Sequence, residues 1–229
     1  MGNPPPLHCL VLALILSVLT LAGCAAPPAK MPASLPSIVR EHKHLYLHGG
    51  EKGMIDTGVD LRNGDTYAIF ATGSIDYCPL GRCNYRDVRP EQGWPFIARI
   101  GHNNFFPPIS KGMNSFLSTA YYPGRLYVGY REGGLNNLGQ PQNPKYYMDD
   151  TGAFSVDIIV FEKEDYGQIA GFLEEMQKKD PSSKAVAEVL DKANRLHEWF
   201  LARKEATREI EKTRQEIQEL KKEPPKAAP

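Results

Sequence analysis

Asp149 and Asp150 are adjacent carboxylates on the segment Tyr146-Tyr147-Met148-Asp149-Asp150-Thr151-Gly152. Two carboxylates on a tight loop repel each other unless one is protonated, both are solvated or a cation bridges them. Ordinary turn chemistry is the competing account, because Asp favours turns and hydrogen-bonds its own backbone. Directly afterwards Phe154, Val156, Ile158 and Val160 alternate with Ser155 and Asp157. That period of two predicts a half-buried strand with Ser155 and Asp157 on its polar face. The carboxylates would then sit on a Thr-Gly turn at the strand's entrance.

Other residues could also do chemistry. His42, His44 and His48 cluster in a short stretch. A metal role is one reading, and a strand edge with polar faces is the simpler one. Asp-Thr-Gly occurs at 56–58 and again at 150–152. Aspartic proteases use that tripeptide twice so that two carboxylates share a proton. Here Asp149 precedes the second copy, and a third carboxylate would upset such a dyad. The strand-forming region is also too short for a two-lobed protease. No enzymatic activity is expected.

The elements around these residues fall into three parts. Residues 10–21 form an apolar run too short for a membrane span, which reads as the core of a secretory signal. Leu21-Ala22-Gly23-Cys24 follows and resembles the lipobox of bacterial lipoproteins. The resemblance implies a signal peptide over 1–23, cleavage before Cys24, and acyl chains such as palmitate on that residue. Several chains give a lasting membrane anchor where one gives a marginal one. Ala25 at the next position resembles lipoproteins sent to the outer membrane, so the expected location is the bacterial cell envelope. Residues 25–36, rich in Ala and Pro, read as a semi-extended tether within a linker spanning 24–42.

Residues 43–162 carry a β pattern. Alternation at 66–72, 96–100 and 126–130 marks strands, with further candidates at 45–48, 55–61 and 115–119. Gly, Pro, Asn and Asp punctuate them, as in Asn63-Gly64-Asp65, Pro107-Pro108 and Pro123-Gly124. Many short strands without helical period predict an all-β fold, a sandwich or a jelly roll. Of four cysteines, Cys9 lies in the signal and Cys24 at the anchor, leaving Cys78 and Cys83. In an exported domain a disulfide between those two is the default, closing a short loop. A structural zinc site lacks a second Cys or His pair at suitable spacing.

The third part, 163–229, is helical. Ile169, Phe172, Leu173 and Met176 recur at helical spacing until Asp180-Pro181-Ser182. From residue 183 to 223 there is no Gly or Pro, so about 40 residues could form one helix of roughly 60 Å. Its heptads put Val189, Leu196, Arg203, Ile210 and Ile217 at one core position. Lys192, Trp199, Ala206, Thr213 and Leu220 occupy the other. Three arrangements stay open: a homo-oligomeric coiled coil, a helix folded back on its own sandwich, and a solvated helix laced with ion pairs. Lys and Arg total 27 and Asp and Glu 27, so composition argues against nucleic-acid binding.

Four blocks in order resemble the LecA-like family, the calcium-dependent galactophilic lectins of Pseudomonas. They are Gly64-Asp65 with Gly73-Ser74-Ile75-Asp76-Tyr77-Cys78-Pro79, then Arg89-Pro90-Glu91-Gln92-Gly93 with Ala98-Arg99-Ile100-Gly101. Gly124-Arg125-Leu126 through Tyr130-Arg131-Glu132 follows, and the Asp149-Asp150 segment is last. The resemblance spans roughly residues 45–162 and implies a galactose-binding-domain-like jelly roll. It implies calcium held by the carbonyls of Tyr77 and Tyr146 and the side chains of Glu132, Asp149 and Asp150. Calcium takes about six to eight oxygens, so five protein groups would leave positions for a sugar diol. Sugar contacts would come from Arg89, Gln92, Glu132, Gly133 and Asp149.

This chain departs from the family pattern. Its three side-chain ligands are all acidic where the family has one Asp and two Asn, and Arg89 replaces a His. The loop 133–145 is longer. Arg89 would suit an acidic glycan through charge-assisted hydrogen bonds, as against a galactose-like one. Trp94, Tyr121 and Tyr122 could offer an apolar face to a sugar ring, although large aromatics are more often buried in packing. The expected function is a calcium-dependent carbohydrate-binding module on a lipid anchor. Its counterpart is a structural envelope lipoprotein with the same metal and no sugar.

Overall fold

The computed structural model describes residues 29–32, 34–81, 84–162 and 164–220. Cys24, the apolar run before it and Cys83 lie outside them. The strands in order are β1 (Val39–His48), β2 (Ile55–Leu61), β3 (Thr66–Asp76), β4 (Phe96–Ile100), β5 (Ser115–Thr119), β6 (Gly124–Tyr130) and β7 (Thr151–Phe161). The helices α1 (Tyr166–Lys179) and α2 (Lys184–Leu220) follow. The strands pair antiparallel into two sheets, ordered β1-β7-β3-β5 and β2-β6-β4. The sheet starts at Val39, earlier than the boundary at 43 that composition suggests.

Period two explains the core between the sheets. Phe154, Val156, Ile158 and Val160 of β7 meet Leu126, Val128 and Tyr130 of β6 and Phe96 of β4. The opposite face of β7 differs from the expectation of a polar, solvated surface. Ile159 and Phe161, with Ala68, Phe70 and Leu117, lie under α1 and α2 in a second apolar cluster. Ser155 and Asp157 are themselves buried, each 2% exposed. Their burial has a visible cause at Asp157. It accepts hydrogen bonds from the backbone N–H of Ala29 (2.8 Å) and faces His42 Nε2 (2.8 Å) and His44 Nδ1 (3.1 Å) on the edge strand β1. A buried carboxylate is tolerable when its lone pairs are filled this way. The three expected histidines thus belong to a strand edge, as the simpler reading had it.

Helix α1 begins where the Asp165 carboxylate accepts from the Gln168 N–H (3.1 Å), a side-chain N-cap. It buries Ile169, Phe172, Leu173 and Met176 against the sheet. Each such side chain contributes roughly 1.5–3 kcal/mol of burial. Helix α2 divides in two. Ala185, Val186, Val189 and Ala193 are buried, and polar groups fasten this half to β5 and the loop before it. Glu188 accepts from the Asn114 N–H and the Ser115 hydroxyl, and Lys192 donates to the Leu117 carbonyl (2.6 Å). From Leu201 through Glu219 every residue is exposed. The helix therefore folds back on its own sandwich for its first half and leaves it for the second. Val189 and Lys192, which the heptads offered to a partner, are consumed within the chain.

Cys78 is disulfide-bonded. With Cys83 as its expected partner, neither thiol should react with an alkylating reagent applied before reduction, and both should react after it. Alkylation of Cys78 in the unreduced protein would refute the bond.

Candidate metal centre

The centre forms where β6 ends and β7 begins, so that both sheets contribute to one end of the sandwich. After Tyr130 the chain leaves β6 through Glu132 and returns by a short 3-10 helix, Tyr146–Met148. Asp149 caps that helix and is exposed, whereas Asp150 is only 7% exposed. Gly49 allows this placement. A Cβ at Gly49 would lie 2.8 Å from the Asp150 carbonyl carbon, and the Gly49 N–H donates to the Gly152 carbonyl (2.9 Å).

Three tyrosines make the floor. The Gly50 N–H donates to the Tyr130 hydroxyl (2.8 Å), which in turn donates to Asp150 Oδ2 (2.8 Å). The Glu132 N–H donates to the Tyr147 hydroxyl (2.8 Å), and the Tyr77 hydroxyl donates to the Arg131 carbonyl (3.0 Å). The rings of Tyr77 and Tyr147 pack on Tyr130 at 5.7 and 5.1 Å between centroids. Burial pushes the Tyr77 and Tyr130 phenols well above their ordinary range, so both stay neutral donors.

Above this floor the Glu132 and Asp150 carboxyls are neighbours. Burial pushes Glu132 up to about 8, and the charges of Asp150 and Asp149 add to it. Asp150 is pushed up to about 6, again by burial first. The Tyr130 hydroxyl opposes that rise, while Asp149 and Asp76 reinforce it. Glu132 Oε2 and Asp150 Oδ1 are buried and accept from no other group, and the two carboxyls lie within hydrogen-bonding reach of each other. Two acceptor oxygens cannot satisfy each other without a shared proton or cation between them.

Of the five residues expected to hold a metal, then, Glu132 and Asp150 are brought into direct proximity, and Asp149 acts on both through its charge. Among the described residues no group of three or more His, Cys, Asp or Glu is disposed to hold a metal ion as it stands. Asp76 and Tyr130 were not singled out from sequence. Asp76 ends β3 opposite Thr151, which places its charge beside Asp150. Tyr130 closes the alternation of β6 two residues before Glu132, a position that could have marked it.

Beside the carboxylates lies an open cleft of about 680 Å³, whose walls include Tyr85, Trp94, Arg131, Glu132, Gly133 and Tyr146. Gly133 has φ +73°, and a Cβ there would press on the Tyr146 ring at 3.0 Å. Trp94 stands edge-on to both Tyr77 and Tyr85 and is 37% exposed. Tyr121 and Tyr122 are exposed on the β5–β6 connection and do not line the cleft. Neither does Arg89, which pairs with Asp87 (2.8 Å) and approaches Glu91 (3.8 Å). Gln92 is exposed at the end of the 3-10 helix Pro90–Gln92, outside the lining.

No protein-family model matches the chain, and no curated protein does. Among solved structures, a PllA-like lectin, the EclA N-terminal domain, matches 55% of this chain and 99% of its own at 19% identity and a TM-score of 0.42. The IMPa metallopeptidase from Pseudomonas aeruginosa matches 69% of this chain at 14% identity and a TM-score of 0.30. The same metallopeptidase in complex with T-antigen matches at 13% identity and a TM-score of 0.30. This chain spans 17% of the metallopeptidase's length in both. The described residues themselves form two packed sheets followed by two helices.

Proposed function

We propose that this chain is a calcium-dependent carbohydrate-binding module of jelly-roll type, held to the bacterial envelope by a lipid on Cys24. One observation carries the metal reading: the Glu132 and Asp150 carboxyls face each other with buried oxygens to which no other group donates, and Glu132 lines an open cleft. The donors are all oxygens, which suits a hard cation. Glu132, Asp149 and Asp150 would supply carboxylates, and the carbonyls of Tyr77 and Tyr146 would complete the protein's share. A calcium ion held there would have coordination positions left for sugar hydroxyls.

The chain's own residues do the rest. Tyr130 holds Asp150 in place by donating to Oδ2, which leaves Oδ1 free for the ion. Trp94 and Tyr85 present aromatic surface to the apolar side of a pyranose ring. An acidic substituent would meet Arg131 in the cleft wall, because Arg89 is engaged with Asp87. A glycan array run with calcium and again with chelator tests this. Binding that chelator abolishes supports it. No binding in either condition, with calcium still raising the melting temperature, would leave the metal purely structural.

The anchor has a separate test. No helix among the described residues is long and apolar enough to cross a membrane. Wild-type protein should incorporate labelled palmitate and partition into detergent, and Cys24→Ser should do neither. Absence of label in the wild type would refute the anchor.

A further inference from the structure

We infer that the free half of α2 is a dimerisation element that pairs with the same segment of a second copy, parallel and in register. Residues 201–219 are all exposed, yet they are not uniformly polar. Ala206, Ile210, Thr213 and Ile217 line a shallow groove along one side of the helix, with Glu209 and Arg214 on its rims. Their spacing alternates four and three residues, the repeat that keeps a seam facing a partner in a left-handed coiled coil. Ile210 is 63% exposed and Ile217 48%, so two β-branched residues at one core position stand in water.

The seam has a defined beginning. Lys192, two heptads before Ala206, and Val189, three before Ile210, are taken up by the sandwich. Arg203 stacks its guanidinium over the Trp199 ring at 5.2 Å, which turns it back toward its own helix. The open stretch therefore starts at Ala206, clear of the globular part.

Charge selects the partner and its direction. With Ile210 and Ile217 at position a, Glu209 and Glu216 fall at g and Arg214 at e. In a parallel pair a g residue faces the e residue five places along the other helix, so Glu209 meets Arg214 of the second copy, twice by symmetry. An antiparallel pair using the same layers sets Glu209 against Glu216 and Arg214 against its own copy. Like charges so placed disfavour that arrangement. Among the described residues Arg214 makes an exposed ion pair with Glu211 at 3.8 Å, which it can exchange for a better one.

The test is the mass of the full chain in mild detergent, by sedimentation equilibrium. Wild type is expected to dimerise. Glu209→Lys should weaken the dimer about tenfold, because it turns two attractions into repulsions, and Glu209→Lys with Arg214→Glu should restore it. Both positions are fully solvated, so neither change threatens the fold. A wild type that stays monomeric at its solubility limit overturns the proposal and leaves α2 a solvated helix with ion pairs. A dimer strengthened by Glu209→Lys overturns the parallel arrangement, since only the antiparallel one would then set Lys against Glu216.

Discussion

Calcium is expected to raise the melting temperature of this protein, and to raise it more at pH 8 than at pH 5. An ion that binds only the folded form stabilises it by about 2.7 kcal/mol at a hundredfold excess over its dissociation constant. For a chain of this size that is a shift of roughly 5–10 °C. Magnesium should give less, because it demands a tighter octahedron and holds its water. The pH dependence follows from the raised carboxyls. Glu132 moves from 4.5 to about 8 and Asp150 from 3.8 to about 6, both because burial disfavours charge. A carboxyl raised on folding favours the folded state in its protonated form. That contribution is complete below about 3.8 and is lost as pH rises through about 6 and then about 8. Metal-free protein should therefore melt progressively lower across that window, and calcium should flatten the trend.

Asp150→Asn is the informative variant. It removes the charge while leaving an oxygen to accept from Tyr130, so it should stabilise the metal-free protein at pH 8 and abolish the calcium shift. Asp150→Ala instead strands the Tyr130 hydroxyl, which costs about 1–3 kcal/mol and would mask the relief of repulsion. A melting temperature unmoved by calcium, chelator and pH alike would defeat the metal site in both its sugar-binding and its structural form.

Gly152→Ala is expected to destabilise the protein by about 3 kcal/mol or more, with a fall in melting temperature on the order of 10 °C. Two effects add. Gly152 has φ +90°, a conformation that costs an L residue about 1–2 kcal/mol. A Cβ there would also collide with the Ser74 carbonyl oxygen, forcing β3 and β7 apart where Ile75 pairs with Gly152. The damage falls two residues from Asp150, so the calcium response should vanish with it. Gly64→Ala is the control. It shares the backbone term, with φ +88°, but its Cβ would meet nothing within 4 Å. Equal losses for the two variants would show that the close approach of β3 carries no energy.

Sequence alone located the strands at 96–100, 55–61 and 115–119 to the residue, because side chains on a pleated strand alternate and turn residues interrupt them. It also read the apolar stripe of α1 and the uninterrupted run that becomes α2, since a helix repeats its neighbours every three to four residues. It isolated Asp149 and Asp150 as a pair needing an explanation, because adjacent like charges are costly wherever the chain puts them.

Periodicity says which residues share a face but not what will cover it, and there the tertiary structure decided. Ser155 and Asp157 look solvated by alternation, yet the tether's Ala29 and the edge histidines close over Asp157. Arg89 looks free for a ligand, yet Asp87 two residues earlier takes it. The heptads of α2 are interrupted by Lys192, Arg203 and Thr213 at core positions, and only docking on β5 shows which of them are spent inside the chain. The decisive pairing, Glu132 beside Asp150, joins residues that flank strands of two different sheets, and the Tyr130 hydroxyl fixes one oxygen of Asp150. Such a pairing depends on strand register and on how two sheets stack, which are properties of long-range contacts that no local pattern encodes.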